Sequence, residues 1–243
     1  MDEVNKLAHS SLTEYLKDRI VVLANSTGNL LKVADRSFII TCRHVADHFF
    51  ERPFRNAILR DNHRIAKAQL CIVAQTGLNI DIAVIEIHGS YTARGVFTLS
   101  DIESIEDFSK HDFRSTNIIL CGIPYDIGQH DEGGNRYHVA MSFMTLPHRS
   151  IPQEPDYLYC EYPTIKDVLE NISERKIKLP AAPGLSGSFM LTVSQFEGSE
   201  KELWSPSFAK VIAVQQSWDQ SSFVKGSNVK HLISLLKNEV KCL

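Results

Sequence analysis

Short apolar segments alternate with polar turns along most of this chain. In the first hundred residues the segments are rich in β-branched side chains and are bounded by Gly, Asn or charged residues, which is the pattern of β-strands. Asn25–Asn29 and Ala34–Ser37 are predicted to be turns. We predict the first six strands at Ile20–Ala24, Leu30–Val33, Phe38–Thr41, Ala57–Leu59, Ala68–Val73 and Ile82–Ile87.

A second group of strand-like segments begins just before a charged stretch, 101–115, that has no clear period and could link two lobes. Two groups of about six strands each predict an all-β protein made of two six-stranded antiparallel β-barrels packed side by side. The strands predicted in the second group are Val96–Leu99, Asn117–Ile123, Tyr137–Phe143, Tyr157–Cys160, Phe189–Thr192 and Lys210–Gln216.

Helical periodicity occurs at three places. Leu7, Leu12 and Leu16 lie at helical spacing in a short N-terminal helix, and Val229–Leu236 is typical of a closing C-terminal helix. Thr164–Lys176 also has a helix-like pattern. These features divide the chain into a helical extension (1–19), a first barrel (20–100), a linker (101–115) and a second barrel with the C-terminal helix (116–243).

Composition restricts the class of protein. The formal net charge of −3 gives no basic excess, so we expect no nucleic-acid partner. The sequence has no apolar run of about 18 residues and no secretory signal, so we expect neither a membrane span nor export. An odd number of cysteines without a C-x-x-C pair predicts reduced thiols and a cytoplasmic protein; the five are Cys42, Cys71, Cys121, Cys160 and Cys242.

Three phrases contain the residues needed for acyl transfer. His44 follows the apolar run 38–41 and is expected at the C-terminal rim of that strand. Asp81 immediately precedes the apolar strand Ile82–Ile87 and could orient an imidazole. Ser186 lies in a turn with glycines on both sides, Gly184 and Gly187, and could attack a carbonyl. The backbone N–H groups of Gly184 and Ser186 are candidates for an oxyanion hole.

Each phrase also has other interpretations. Any of the three residues taken alone is an ordinary strand-end or turn residue. His44 and His48 form an H-x-x-x-H pair, but the metalloprotease glutamate is absent and no third ligand is evident, so no metal is expected. The G-x-S-x-G elbow of α/β-hydrolases is excluded because position 188 is Ser and the order His, Asp, Ser is wrong for that class.

Together the phrases resemble those of trypsin-like serine peptidases with the chymotrypsin fold, closest to the HtrA/Deg branch. Thr41–Val45 resembles T-x-x-H-[CV], Asp81–Val84 matches D-[IL]-A-[VL], and Gly184–Ser188 resembles G-[DN]-S-G-[GS]. Cys121–Pro124 and Val211–Val214 resemble two strands of the family's second barrel.

This resemblance implies that Ser186 is the nucleophile, His44 the general base and acid, and Asp81 the residue that orients His44. It implies a polypeptide substrate, no cofactor, and a substrate pocket lined by Pro180, Ala181, Leu185, Val214, Gln215, Gln216 and Ser217. No acid lies at the base of that pocket, so an apolar residue is expected on the acyl side of the cut, and Lys178 leaves an acidic one as the alternative.

Departures from the family pattern leave the activity open. Val45 stands where secreted relatives have a disulfide cysteine, and Leu185 replaces the usual Asp or Asn before the serine. Arg19–Val22 lacks the glycines of an activation site, and we expect no PDZ module after the closing helix. The chain is therefore expected to be a cytosolic serine endopeptidase, with an activating protein partner in a bacterial defence or stress system. A virally encoded processing protease is another option, and a catalytically silent peptide-binding module is the alternative.

Overall fold

The computed structural model describes residues 3–52, 56–59, 63–113, 116–124, 129–130, 136–137, 140–162, 167–169, 176–178, 181–193 and 205–243. Strand is the most frequent regular structure in this part of the chain, and α-helices lie at its two ends and after the third strand. The helices are α1 (Glu3–Lys17), α2 (Arg43–Glu51) and α3 (Lys230–Asn238). The strands are β1 (Ile20–Leu23), β2 (Ser26–Val33), β3 (Arg36–Thr41), β4 (Ala57–Leu59), β5 (Arg64–Ile65), β6 (Leu70–Gln75), β7 (Ala83–Ile87), β8 (Asn117–Gly122), β9 (Gln129–His130), β10 (Arg136–Tyr137), β11 (Met141–Thr145), β12 (Tyr157–Glu161), β13 (Asp167–Leu169), β14 (Lys176–Lys178), β15 (Phe189–Val193), β16 (Lys210–Trp218) and β17 (Phe223–Asn228).

Two curled antiparallel sheets make up the fold. The first has seven strands in the order β5-β4-β1-β2-β3-β7-β6, and the second has six in the order β11-β8-β15-β16-β17-β12. Some neighbouring strands, such as β1 and β2 or β2 and β3, are joined by short turns. Others, such as β3 and β7 or β8 and β15, are far apart in the chain. The predicted all-β, double-barrel, chymotrypsin-like architecture is confirmed, with seven strands in the first sheet where six were expected.

The sequence patterns located most strands but misjudged some segments. The predicted helix at Thr164–Lys176 is wrong in its described part, because 167–169 pairs with 176–178 as a hairpin. Strand β17 was not predicted, since glycine and polar residues interrupt its apolar pattern. The segment Val96–Leu99 contributes only an isolated bridge, between Phe97 and Leu31.

Helices α1 and α3 confirm the predicted terminal helices. Leu12 and Leu16 of α1 are buried, as are Leu232 and Leu236 of α3. Each helix thus buries one apolar face, which is the main source of stability for helices this short. Within the described part of the chain, no helix is both long enough and apolar enough to cross a membrane.

A shared core joins the two sheets. One buried cluster includes the first sheet, α1, α3 and residues of the second sheet such as Ile119 and Val211. Phe97 meets Phe189 of β15 edge to face, with ring centroids 5.0 Å apart. Because protein interiors are packed at crystal-like density, this core fixes how the two sheets lie against each other.

Candidate active site

His44 lies in the first turn of α2. Strand β3 ends at Thr41, Cys42 is extended (φ −73°, ψ 148°), and the helix begins at Arg43. The strand end was predicted, but the helix was not. Val45, Ala46 and Phe49 bury one face of α2, whereas the His44 side chain remains 48% exposed. The ring is therefore held by a packed helix and yet remains accessible.

Asp81 caps the start of the same helix from the loop before β7. Its backbone carbonyl accepts from the Arg43 N–H (3.1 Å), and its Oδ1 accepts from the His44 N–H (2.9 Å). Two otherwise unpaired N–H groups of the helix are satisfied in this way, and the helix dipole favours the carboxylate there. The cap requires Asp81 to adopt φ +55°, which is uncommon outside glycine.

The second carboxylate oxygen of Asp81 faces the imidazole. Oδ2 lies 2.6 Å from His44 Nδ1, and only 5% of the Asp81 side chain is exposed. An ionised carboxylate only accepts hydrogen bonds, so the shared proton is assigned to Nδ1. This leaves a lone pair on Nε2, which is the tautomer that a general base needs.

Cys42 completes a group of possible metal donors with this pair. One atom each of Cys42, His44 and Asp81 lies within 4.8 Å of the others, and His48 is not part of the group. The Cys42 thiol donates to the Gln215 carbonyl (3.0 Å). Burial, reinforced by the Asp81 charge, raises the pKa of Cys42 well above its usual value. A thiol that is kept protonated and already hydrogen-bonded is a poor metal ligand.

Ser186 lies in the second of two consecutive tight turns. Leu185 N–H donates to Ala182 O, and Ser188 N–H donates to Leu185 O, both at 2.9 Å. The third residue of each turn is a glycine with positive φ, Gly184 at +97° and Gly187 at +92°. Positive φ at this position is what a type II turn requires. The glycines seen in the sequence therefore shape the loop that presents Ser186.

Strand β2 of the first sheet holds this loop in place. Thr27 N–H donates to Ser186 O (3.1 Å), and the Thr27 hydroxyl donates to Gly184 O (2.7 Å). The amide of Asn29 donates to Gly187 O at 2.6 Å. A Cβ on Gly187 would lie 2.1 Å from Thr27 O, so the loop and the strand are in backbone contact. The sequence offers no signal for these contacts, because they join segments far apart in the chain.

The Ser186 hydroxyl donates to the Gln216 carbonyl at 3.4 Å. Among the described residues this hydroxyl makes no hydrogen bond to His44. The structure therefore does not pair the predicted nucleophile with the predicted base. Gln216 lies at a β-bulge, where the pairing of β16 with β17 shifts between Gln215 and Ser217. Such bulges leave a residue outside the ladder and redirect its polar groups.

The predicted oxyanion donors lie at the centre of this loop. The N–H groups of Gly184 and Ser186 donate to no acceptor within the described part of the chain. The carbonyl of Gly184 is fixed by Thr27, and that of Ser186 by the Thr27 N–H. Within the described residues both N–H groups are therefore unpaired, as an oxyanion hole requires.

The predicted pocket residues fall into two groups. Leu185, Val214 and Gln215 are almost completely buried, so their side chains pack in the interior and only their backbone can border a pocket. Ala181, Gln216 and Ser217 present side-chain surface, and Pro180 lies outside the described residues. A separate cavity of about 860 Å³, between 109–113 and 146–153, includes none of the predicted site residues.

Comparisons with known proteins were made for both sequence and structure. No protein-family model matches the sequence, and no curated protein matches it. Among solved structures, the chain is similar to a serine-to-alanine mutant of Rv3671c from M. tuberculosis H37Rv in an inactive form. The sequences are 12% identical, the TM-score is 0.48, and the match covers 99% of this chain and 94% of that chain. A likeness at this level shows neither a family nor an activity.

Proposed function

We propose that this protein is a serine endopeptidase that acts through an acyl-enzyme intermediate. Ser186 Oγ attacks the peptide carbonyl as His44 Nε2 takes its proton, and the carbonyl oxygen accepts from the N–H groups of Gly184 and Ser186. The C–N bond then breaks and the departing amine takes the proton from Nε2. Water, activated by the same nitrogen, releases the acid and restores the serine.

One observation carries this proposal. The buried Asp81 carboxylate contacts Nδ1 of a half-exposed imidazole at 2.6 Å while it caps the helix that carries that imidazole. A structural histidine needs no such partner, whereas a general base needs a fixed tautomer and an accessible second nitrogen. The turn that carries Ser186 supports the assignment by leaving two N–H groups unpaired within the described residues.

A second function is favoured by the hydrogen bond of Ser186 to Gln216. A catalytically silent module would bind peptides between the same two sheets, and the serine would remain on Gln216. In the peptidase, the hydroxyl must instead rotate to within hydrogen-bond reach of His44 when substrate binds or when a partner protein acts. Hydrogen bonds in substrate-free active sites are often long or misaligned, so the observed contact is compatible with both functions.

Covalent labelling distinguishes the two functions. We expect a fluorophosphonate to modify the full-length chain at Ser186, detected by mass spectrometry of the modified peptide. Labelling should be absent in Ser186→Ala and strongly reduced in His44→Ala. Ser234, an exposed serine on α3, supplies the matched control, and Ser234→Ala should label like wild type. Wild-type protein that remains unlabelled, with and without candidate partner proteins, would contradict the peptidase.

The substrate, partner and cellular site are further parts of this proposal. We propose cleavage after apolar residues, with acidic residues as the alternative, a cytoplasmic location, and activation by a protein partner in a bacterial defence or stress system. A library of peptides that varies the residue before the cut tests the specificity. High activity of the isolated chain on such peptides would argue against a required partner.

A further inference from the structure

The loop before β7 determines where the Asp81 carboxylate lies. Inside the loop, the N–H groups of Ile80 and Asp81 both donate to Gly77 O, at 3.2 and 2.9 Å. At its tip, Leu78 is 65% exposed and adds little apolar packing, whereas Ile80 packs against the core. Because Asp81 also adopts a positive φ, the loop needs contacts from elsewhere to keep the carboxylate in place.

Gln216, on the second sheet, provides such a contact. Its side-chain Nε2 donates to Asn79 O (3.0 Å) and lies 3.3 Å from Leu78 O. Its Oε1 accepts from the Ser227 hydroxyl at 3.1 Å, which fixes the orientation of the amide. Tyr157 of β12 adds a second contact, because its hydroxyl donates to Asn79 O at 2.9 Å.

The same residue also contacts the predicted nucleophile. The backbone carbonyl of Gln216 accepts from the Ser186 hydroxyl, while its side chain holds the loop that ends in Asp81. Gln216 therefore contacts both the loop that carries the acid and the serine, and these two belong to loops of different sheets. The bulge at this point of β16 makes this possible, since it takes Gln216 out of the ladder.

We infer that Gln216 is a positioning residue, which sets the Asp81 carboxylate against His44 by anchoring the loop before β7 to the second sheet. This inference rests on the proposed function in one respect, because the proposed function is what makes His44 a catalytic residue. Without the amide, the loop keeps its internal hydrogen bonds but loses an anchor close to Asp81. Displacements of about 1 Å in a catalytic group lower rates by about 100-fold.

The test replaces the amide of Gln216 by an apolar group and keeps the length of the side chain. Gln216→Met removes both loop contacts, and Tyr157→Phe removes the second anchor without altering β16. Gln220→Met is the matched control, because Gln220 is exposed and makes no loop contact among the described residues. Two properties of the full-length chain are measured. One is the NMR signal of the His44 Nδ1 proton, and the other is fluorophosphonate inactivation, separated into its maximal rate and its half-saturating concentration.

In Gln216→Met we expect the Nδ1 proton to exchange with water about 10-fold faster or more, and the maximal inactivation rate to fall by about 10- to 100-fold. The half-saturating concentration should remain that of wild type, and the urea midpoint should fall only modestly, because the buried Ser227 hydroxyl loses its acceptor. Tyr157→Phe should change both properties in the same direction by less, and Gln220→Met should change neither.

The possible failures are distinguishable. If Gln216→Met keeps the wild-type proton signal and inactivation rate, the positioning role is refuted while the peptidase stands. If wild type never reacts but the Nδ1 signal is lost in Gln216→Met, the positioning role stands and the peptidase fails. An equal effect in Gln220→Met would also refute the inference.

Discussion

The hydroxyl of Thr27 joins the first sheet to the nucleophile loop, and its removal should weaken both stability and labelling. Thr27 is fully buried. Its Oγ1 donates to Gly184 O at 2.7 Å and accepts from Ile123 N–H at 3.0 Å. Thr27→Val keeps the shape of the side chain but leaves this buried carbonyl and this N–H unpaired.

Each unpaired buried group costs about 1–3 kcal/mol, so Thr27→Val should lower the free energy of unfolding by about 2–6 kcal/mol. That is a large fraction of the 5–15 kcal/mol typical of a domain. Thr27→Ser keeps both hydrogen bonds and loses one methyl group, so it should cost only about 1 kcal/mol. Urea unfolding of the two variants measures the difference.

Labelling of Ser186 provides the second measurement. In Thr27→Val the carbonyl of Gly184 loses its hydrogen bond, so we expect the N–H group of Gly184 to be misplaced. Fluorophosphonate labelling should therefore be slower in Thr27→Val and nearly unchanged in Thr27→Ser. The reasoning is refuted if Thr27→Val loses less than about 1 kcal/mol, or if both variants lose the same amount.

Three further predictions concern the acid, the glycine and an ion pair. Asp81→Asn should label at Ser186 roughly 10⁴-fold more slowly, because the amide favours the wrong imidazole tautomer; a rate within 10-fold of wild type would count against the assigned role. Gly187→Ala, whose Cβ would lie 2.1 Å from Thr27 O at φ +92°, should cost more than about 3 kcal/mol or prevent folding, and a normal urea midpoint would contradict the contact. Arg36 pairs with both oxygens of Glu86 (2.7 and 2.8 Å) and lowers the pKa of that carboxyl below its usual 4.5. The ion pair should therefore make wild type more stable than Glu86→Gln above about pH 5, and this difference in unfolding free energy should decline below pH 4.5. Urea unfolding across that pH range measures the difference. A difference that grows toward acid pH would refute the prediction.

Local chemistry allowed the sequence to predict most strands and to indicate three candidate site residues. The alternating apolar segments located strands such as β3 and β7, because side-chain burial has the same period as the pleat. Position along the chain indicated His44, Asp81 and Ser186, and the glycines beside Ser186 indicated a turn. The paired strands 167–169 and 176–178 were mistaken for part of a helix, since short apolar spacings fit both periods.

The contacts that organise the site could not be predicted. Thr27 lies in a segment that was interpreted as a turn, although it is part of β2 and contacts the nucleophile loop. Gln216 was assigned to the pocket wall, and its contact with the loop before β7 depends on how the two sheets lie together. A residue's sequence neighbours carry no information about a partner more than a hundred positions away.

Gln216 and Thr27 lie on different sheets, so the parts of the site form at different times as the protein is synthesised. During synthesis, His44, Asp81 and Thr27 emerge and can pair within the first sheet well before Ser186 exists. The serine loop then takes its observed position only when β16 has paired with its neighbours, since Gly187 N–H donates to Gln215 O. In the proposed peptidase, a growing or truncated chain that lacks those last strands should therefore be inactive, because its serine loop is not yet in place.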